Sequence, residues 1–276
     1  MSVRVFLCIK QDLYGMIAAR TFLSALDGYD LDISVFCSTK TRPAEDVSPW
    51  LGLFKVLERQ VPFEFMAPQM QTSGGLGKDA HLRWPWRPII SLRDPSDNNP
   101  FSTTTPDLVV SMRFSLIFPE AIINAIPYGI INVHPGPLPK YRGLFAPFWQ
   151  MRAGEKTFAS TLHFVDKGID TGPIIGTHSI ARDNSRSLMW HIAELYRGGA
   201  ALAADVVLRS LKEKKRVKAA PQPPEGNYYK FPSDDELKEA STGLLKFVDP
   251  SDYAALMREA FALPAYDAAT PERLGV

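Results

Sequence analysis

The chain has 276 residues and carries 31 Lys and Arg against 30 Asp and Glu, so its formal net charge is +1. This balance supplies no long-range field for nucleic acid or an anionic membrane, and neither is an expected partner. The hydrophobic fraction of 45% and the charged fraction of 22% exclude wholesale disorder.

Apolar runs of strand length alternate with helical patterns in the first half of the chain. The predicted elements are, in order, a strand at 3–9, a helix at 14–26, a strand at 31–36, a helix at 50–65 and a short strand at 88–92. Most of residues 71–105 is interpreted as loop, because Gly, Pro, Ser and Asn dominate there. Strands that are apolar on both faces and alternate with helices indicate a parallel sheet covered on two sides.

The alternation continues in the second half. Here the predicted elements are a strand at 107–112, a helix at 119–125, strands at 129–133, 158–165 and 173–180, and a long amphipathic helix at 187–211. The fold class is therefore predicted as α/β, with a Rossmann-like, mostly parallel sheet. A basic run at 212–218 and a proline-rich spacer at 221–224 divide the chain into a catalytic domain, 1–216, and a small C-terminal extension, 217–276, packed on it. One helix, at 253–261, is expected in the extension.

Several observations predict a cytoplasmic location. The first ten residues lack the charged start and cleavage site of a secretory signal, and no apolar run approaches the roughly 20 residues of a membrane span. The two cysteines, Cys8 and Cys37, lie in apolar runs and are predicted to be buried, reduced and unconnected with metal binding.

The segment 129–143 places an amide and an imidazole two residues apart at the end of a strand. Side chains at i and i+2 on a strand point the same way, so Asn132 and His134 should face one space. In open α/β sheets, functional groups collect at the carboxyl ends of the strands. The sequence therefore predicts a site at this strand end.

These residues resemble the folate-dependent formyltransferase family, which includes glycinamide ribonucleotide, methionyl-tRNA and sugar or siderophore amine formyltransferases. The resemblance is strong over about residues 105–185 and rests on three motifs, Asn-Val-His-Pro at 132–135, Leu-Pro-Lys-Tyr-Arg-Gly at 138–143 and Val-Asp-Lys-Gly-Ile-Asp-Thr-Gly-Pro at 165–173. It implies the formyltransferase fold, 10-formyltetrahydrofolate as co-substrate and transfer of its formyl group to an amine.

The resemblance also implies roles for individual residues. Asn132 would stabilise the oxyanion of the tetrahedral intermediate, an effect typically worth roughly 3 to 4 kcal/mol. His134 would carry the proton, and Asp170 would hold the imidazole and order a water. The folate would be held by the backbone of Met112, Arg113 and Phe114 and by the turn containing Val165, Asp166, Gly168 and Ile169. No metal site is expected.

Two further patterns have competing interpretations. His163 lies on a predicted strand near Asp166, where it is either a substrate contact or, as we expect, a structural histidine. The run 73–78 imitates a phosphate loop, but Thr72 stands where Gly is needed and Asp79 where Ser or Thr is needed, which excludes it.

The acceptor is predicted to be a small molecule. Residues 144–150 depart from the Ala-Ala-Pro pattern usual in methionyl-tRNA formyltransferases, and they make this wall of the predicted site aromatic. With the segments at 12–15 and 191–196, they look most like formyltransferases acting on N-hydroxyornithine in siderophore synthesis. A nucleotide-linked amino sugar is the alternative, with Tyr228 and Tyr229 or Trp84 and Trp86 stacking on it. A folate-binding regulatory protein or a formyltetrahydrofolate hydrolase would be a different class.

Overall fold

The computed structural model describes residues 2–66, 87–93, 99–243 and 245–261. The described strands are β1 (Val3–Lys10), β2 (Leu31–Ser38), β3 (Arg87–Pro88), β4 (Leu108–Met112), β5 (Ile130–His134), β6 (Arg142–Gly143), β7 (Thr157–Phe164), β8 (Ile174–Ala181) and β9 (Tyr228–Tyr229). Seven of them form one sheet in the order β3-β2-β1-β4-β5-β7-β8, and β6 pairs with β9 in a second, two-stranded sheet.

Helices cover the sheet. They are α1 (Leu13–Ala25), α2 (Pro43–Val47), α3 (Pro49–Lys55), α4 (Glu120–Ala125), α5 (Ala146–Arg152), α6 (Leu188–Glu213), α7 (Asp234–Thr242) and α8 (Pro250–Phe261). A π-helix (Val56–Met66) continues α3, and a 3-10 helix spans Pro100–Ser102. Within the described residues, no helix has the length and apolarity needed to cross a bilayer.

The predicted α/β class with a mostly parallel sheet is confirmed. Strands β3, β2, β1, β4 and β5 run parallel, whereas β7 runs antiparallel to β5 and β8 antiparallel to β7. The carboxyl ends of β1, β4 and β5 therefore open onto one edge, where a crevice forms in such sheets. Because β7 is antiparallel to β5, residues of β7 lie opposite those of β5 near that edge.

Apolar burial on both faces of the sheet explains why the strands form where they do. Val5, Leu7 and Ile9 of β1 pack into one cluster with α1 and α6, while Phe6 and Cys8 face a smaller cluster on the other side. Both cysteines are buried, as predicted. Helix α1 begins at a cap, because the Asp12 carboxylate accepts a hydrogen bond from the Gly15 N–H at 2.8 Å.

The chain after residue 216 packs on the rest. Asp252 of α8 is buried, and its Oδ2 accepts from the Ser187 N–H, the N-cap residue of α6, at 2.8 Å. The Tyr253 hydroxyl donates to the Leu57 carbonyl of the π-helix at 2.8 Å. These contacts attach α8 across both α6 and the π-helix.

Two predicted elements differ from those observed, and one observed helix was not predicted. The helix predicted at 50–65 is α-helical only to Lys55 and π-helical beyond it. The strand predicted at 88–92 is observed at Arg87–Pro88, where it pairs with Phe36 and Cys37 of β2. Of the predicted loop 71–105, residues 71–86 and 94–98 lie outside the described residues, as do the run 73–78, Trp84 and Trp86. Helix α7 has no counterpart in the prediction.

Candidate active site

A cavity of about 290 Å³ opens at the carboxyl ends of the parallel strands. Asn132, His134 and Asp170, the predicted triad, all line it, together with His163. Its volume lies near the lower end of ligand cavities in proteins. The structure thus brings the three predicted catalytic side chains to one space, from β5 and from the turn between β7 and β8.

Asn132 is held by a histidine on the neighbouring strand. The antiparallel register pairs Asn132 with His163, and Asn132 Nδ2 lies 3.2 Å from His163 Nε2. Because His163 Nδ1 lies 2.9 Å from the Phe164 carbonyl, the consistent tautomer carries its proton on Nδ1 and accepts the Asn132 amide hydrogen at Nε2. Burial lowers the pKa of His163, against the opposing effect of Asp170, and favours this neutral form. The orientation of the Asn132 amide is thereby set.

His134 is buried and oriented by the loop that follows it. Its Nε2 donates to the Tyr141 carbonyl at 2.6 Å, and its Nδ1 lies 3.6 Å from Asp170 Oδ2. A proton on Nδ1 would therefore lie between the imidazole and a carboxylate. Gly136 makes room for the ring, because a Cβ there would lie 2.9 Å from His134 Nε2 and 2.8 Å from the Ala146 Cβ.

Two buried polar side chains fix the path of that loop. Gln150 Nε2 donates to the Pro135 carbonyl at 3.0 Å. Thr161 Oγ1 donates to the Gly136 carbonyl at 2.7 Å and accepts from the Leu138 N–H at 3.1 Å. Both side chains are fully buried, so these bonds are shielded from water. The loop is consequently a firm support for His134.

Asp170 lies between the two histidines. Its Oδ2 accepts from the Gly143 N–H at 2.8 Å, and its Oδ1 lies 3.7 Å from His163 Nε2. The residue has φ 55°, in the left-handed region that non-glycine residues rarely adopt. Such conformations persist where the surroundings hold them, and they cluster at functional sites.

The predicted folate contacts divide into two groups. Six of the seven border the cavity, namely Arg113, Phe114, Val165, Asp166, Gly168 and Ile169. Met112 is fully buried in the main core and does not border the cavity. In the turn, Asp166 Oδ1 accepts from the Gly168 N–H at 3.0 Å and from Thr171 Oγ1 at 2.7 Å, which shapes the backbone that the prediction assigns to the folate.

The Arg113 side chain makes structural contacts that the sequence analysis did not predict. Its Nε donates to Asp12 Oδ2 at 2.7 Å, and its Nη2 donates to Glu58 Oε2 at 2.8 Å. The guanidinium also lies over the Tyr14 ring, 4.8 Å from its centroid. Burial raises the pKa of Glu58 to about 7. The positive charge of Arg113 opposes this rise, and the like charge of Asp12 adds to it.

His163, which the sequence analysis expected to be a structural histidine, lines the cavity and lies against Asn132. The signal was present, since Thr161 and His163 alternate on a strand in the same way as Asn132 and His134. What the sequence does not give is the register that sets Asn132 opposite His163 and His134 opposite Thr161. Across the described part of the chain, no group of three His, Cys, Asp or Glu side chains is arranged to hold a metal ion.

Comparison of the sequence with known proteins identifies a family. Residues 48–195 match the family model described as formyl transferase. A methionyl-tRNA formyltransferase from Acetivibrio thermocellus is 34% identical over 126 residues, which cover 45% of this chain and 39% of that protein. Another from Caldanaerobacter subterraneus is 36% identical over 117 residues, covering 42% and 37%. The chain thus aligns with well under half the length of these curated relatives.

Solved structures share the fold. A 4-N formyltransferase from Francisella tularensis superposes with a TM-score of 0.57 at 20% identity, over 96% of this chain and 90% of that one. A sugar N-formyltransferase from a Shewanella species gives a TM-score of 0.54 at 15% identity, over 94% and 87%. At these identities the similarity concerns the architecture.

Proposed function

The chain belongs to the formyl transferase family, and from that premise we propose that it transfers the formyl group of 10-formyltetrahydrofolate to the amine or hydroxylamine of a small acceptor. The observation that carries the proposal is the convergence of Asn132, His134 and Asp170 on one cavity at the carboxyl end of the sheet. An amide donor can stabilise the oxyanion of acyl transfer, and an imidazole beside a carboxylate can transfer its protons.

Asn132 is proposed to stabilise the carbonyl oxygen as the amine attacks. That oxygen gains negative charge, and a donor already fixed in direction stabilises it without reorganising. His163 fixes the direction of the Asn132 amide, because its Nε2 accepts one hydrogen of that amide at 3.2 Å. The second amide hydrogen remains for the substrate oxygen.

His134 is proposed to accept the proton that leaves the attacking nitrogen, and Asp170 to stabilise the resulting imidazolium. His134 Nε2 is committed to the Tyr141 carbonyl, so Nδ1 is the nitrogen that exchanges a proton. Asp170 Oδ2 lies 3.6 Å from it and stabilises the imidazolium that forms. The proton can then pass to the departing folate nitrogen, which returns the imidazole to its neutral state.

The cavity suits the pteridine end of a folate. Phe114 and Ile169 offer apolar surface for a flat ring, and the backbone of residues 165–170 offers donors and acceptors at its edge. The folate supplies the activated formyl group, and this part of the wall is proposed to hold and orient it.

Three aromatic side chains favour a small acceptor. Phe54, Phe145 and Phe231 line the cavity, with ring centroids 5.4 Å apart for Phe54 and Phe145 and 6.2 Å apart for Phe145 and Phe231. They narrow the space in which an acceptor amine can approach the formyl carbon.

The two neighbouring tyrosines differ in whether their rings are accessible. Tyr229 is already stacked on Tyr141 and Trp149, whereas Tyr228 is exposed at the cavity wall. Tyr228 is therefore the member of this pair that can stack on a ligand.

N-hydroxyornithine remains the first acceptor proposed for this chain on sequence grounds, although none of the relatives described above acts on it by name. A nucleotide-linked amino sugar is the second candidate, favoured by the fold shared with a sugar N-formyltransferase. The curated relatives act, by name, on methionyl-tRNA, which makes methionyl-tRNA the third acceptor to test.

The experiment mixes purified protein with 10-formyltetrahydrofolate and follows tetrahydrofolate release with each acceptor and with none. We expect acceptor-dependent release with a small molecule, and none from a His134→Ala variant. Release that is equally fast without an acceptor would identify a hydrolase. Absence of release with all three acceptors, in a protein that also fails to bind 10-formyltetrahydrofolate, would refute the proposal.

A further inference from the structure

The chain beyond residue 216 reaches the turn that carries Asp170. Gln222 Nε2 donates to the Asp170 carbonyl at 3.0 Å and to the Gly172 carbonyl at 2.7 Å. Its Oε1 accepts from Arg142 Nη2 at 3.0 Å and from Arg142 Nε at 3.3 Å. One amide side chain therefore ties the Asp170 turn to the segment that follows the His134 loop.

We propose that Gln222 is a positioning residue for formyl transfer, which holds the Asp170 carboxylate in place against His134. The inference rests on the proposed function for its chemical meaning. The position of the Asp170 carboxylate relative to the His134 imidazole can be tested without that function. The division at residue 216 remains a proposal, and on this view the extension completes the active site.

A second connection reaches Asp170 through the pairing of β6 with β9. The Arg142 N–H donates to the Asn227 carbonyl at 3.0 Å and the Leu144 N–H to the Tyr229 carbonyl at 2.8 Å. Alternate residues of a paired strand point their N–H groups in opposite directions, so the Gly143 N–H faces away from β9. That N–H is the one that donates to Asp170 Oδ2.

Position 143 must be glycine for this connection to exist. Gly143 has φ 94°, and a Cβ there would lie 2.2 Å from the Tyr229 carbonyl oxygen. The pairing with β9 thus depends on a residue without a side chain, and the same residue presents its N–H to the carboxylate. The segment 222–229 acts on both the backbone and the side chain of Asp170.

Asp170 needs such support because its own backbone conformation is unfavourable. Its φ is 55°, a region that non-glycine residues rarely adopt because the Cβ comes too close to the following carbonyl oxygen. Without the bonds from Gln222, the turn can relax toward ordinary dihedral angles, and the carboxylate would move away from His134 Nδ1. The expected damage is to the chemical step, because the displaced carboxylate is the group that faces His134 Nδ1, and Gln222 itself does not border the cavity.

The test is Gln222→Met, which keeps the length of the side chain but removes its donors and its acceptor. We expect kcat to fall about tenfold, with the KM for 10-formyltetrahydrofolate changed less than twofold. Glu225→Gln is the matched control, since Glu225 lies in the same segment and is exposed. Its kcat should equal that of the wild type.

Two further measurements separate positioning from general damage. In an Asp170→Asn background, Gln222→Met should cause no additional loss of kcat, because its effect passes through the carboxylate. Arg142→Lys removes the guanidinium whose two N–H groups donate to Gln222, and it should also lower kcat. It serves as the second variant if Gln222→Met does not fold. Full multiplicative losses in the double variant would overturn the inference.

A readout independent of activity distinguishes this inference from the proposed function. The Gly143 amide should exchange its hydrogen faster in Gln222→Met than in the wild type, since its carboxylate partner is displaced. An unchanged Gly143 amide overturns the inference even in an active enzyme. A faster-exchanging Gly143 amide in a protein without formyl transfer supports the positioning role and refutes the proposed function alone.

Discussion

Asn132 and His163 are cross-strand partners, and the amide Nδ2 of one lies 3.2 Å from the imidazole Nε2 of the other. The relationship gives Asn132 a fixed donor direction, because the buried His163 is held in turn by the Phe164 carbonyl. The proposed oxyanion donor therefore depends on a side chain from a different strand.

Replacing His163 should weaken catalysis while leaving folate binding nearly intact. His163→Phe removes the acceptor for the Asn132 amide, and losing one such hydrogen bond of about 1 to 1.5 kcal/mol corresponds to a fall in kcat of roughly tenfold. Steady-state kinetics checks this. His191→Phe is the control, because His191 is also buried but bonds to Ser187 and Asp183 outside the cavity; it should lower the melting temperature and spare kcat. Equal kcat losses in both variants would contradict the assignment.

Replacing Asp170 should abolish most of the turnover without unfolding the chain. Asp170→Asn removes the charge that faces His134 Nδ1, and asparagine tolerates the left-handed conformation of this position. We expect kcat to fall at least 100-fold, and the same for Asp170→Ala and His134→Ala, with a circular dichroism spectrum like that of the wild type. Wild-type rates in any of the three would remove the assigned roles.

Glu58 should make stability depend on pH in a defined direction. Its pKa is raised from 4.5 to about 7 in the folded protein, so between these values the folded state holds a proton that the unfolded state has lost. Its contribution to the free energy of unfolding is thus fully present below pH 4.5 and declines as pH rises through 7, by up to about 3 kcal/mol. Urea unfolding at pH 5, 6, 7 and 8 measures it.

The comparison that isolates Glu58 uses two variants. Glu58→Gln should lose this decline, so the stability of wild type minus that of the variant decreases with pH. Glu64→Gln, an exposed position on the same π-helix, should follow the wild type in parallel. Parallel curves for Glu58→Gln as well would show that the carboxyl is not shifted.

A methyl group at position 136 should displace His134. The Cβ of Gly136→Ala would lie 2.8 Å from the Ala146 Cβ and 3.0 Å from the Tyr141 carbonyl that accepts from His134. We expect a loss of about 1 to 3 kcal/mol in stability together with reduced kcat. Gly52→Ala is the matched control, because its nearest atom would be 3.9 Å away in a helix, where alanine stabilises by up to about 1 kcal/mol.

The sheet could be predicted because its strands are apolar runs. The predicted strands at 3–9, 31–36 and 107–112 match β1, β2 and β4 within two residues at each end. Burial on both faces of a parallel sheet produces such runs directly. Helix α7 was missed because it buries only Leu237 and Ala240, although the capping box of Ser233 and Glu236 was a readable start signal.

The site was predictable to the extent that it depends on local spacing. Alternation along a strand places Asn132 and His134 on one side, and the structure places both at the cavity. The ion pairs of Arg113 with Asp12 and Glu58 join residues far apart in sequence, and no local pattern announces them. The same holds for Gln222, whose importance depends on where the extension crosses the Asp170 turn.

Asp12 caps α1 with one carboxylate oxygen and holds Arg113 with the other. The start of the helix after the first strand is where folds of this kind commonly receive phosphate groups, using open N–H donors. Here the chain supplies its own anion at that place, so an incoming phosphate would meet a negative charge instead of a vacant donor. One aspartate thereby joins the first turn of α1 to Arg113, a residue that borders the cavity.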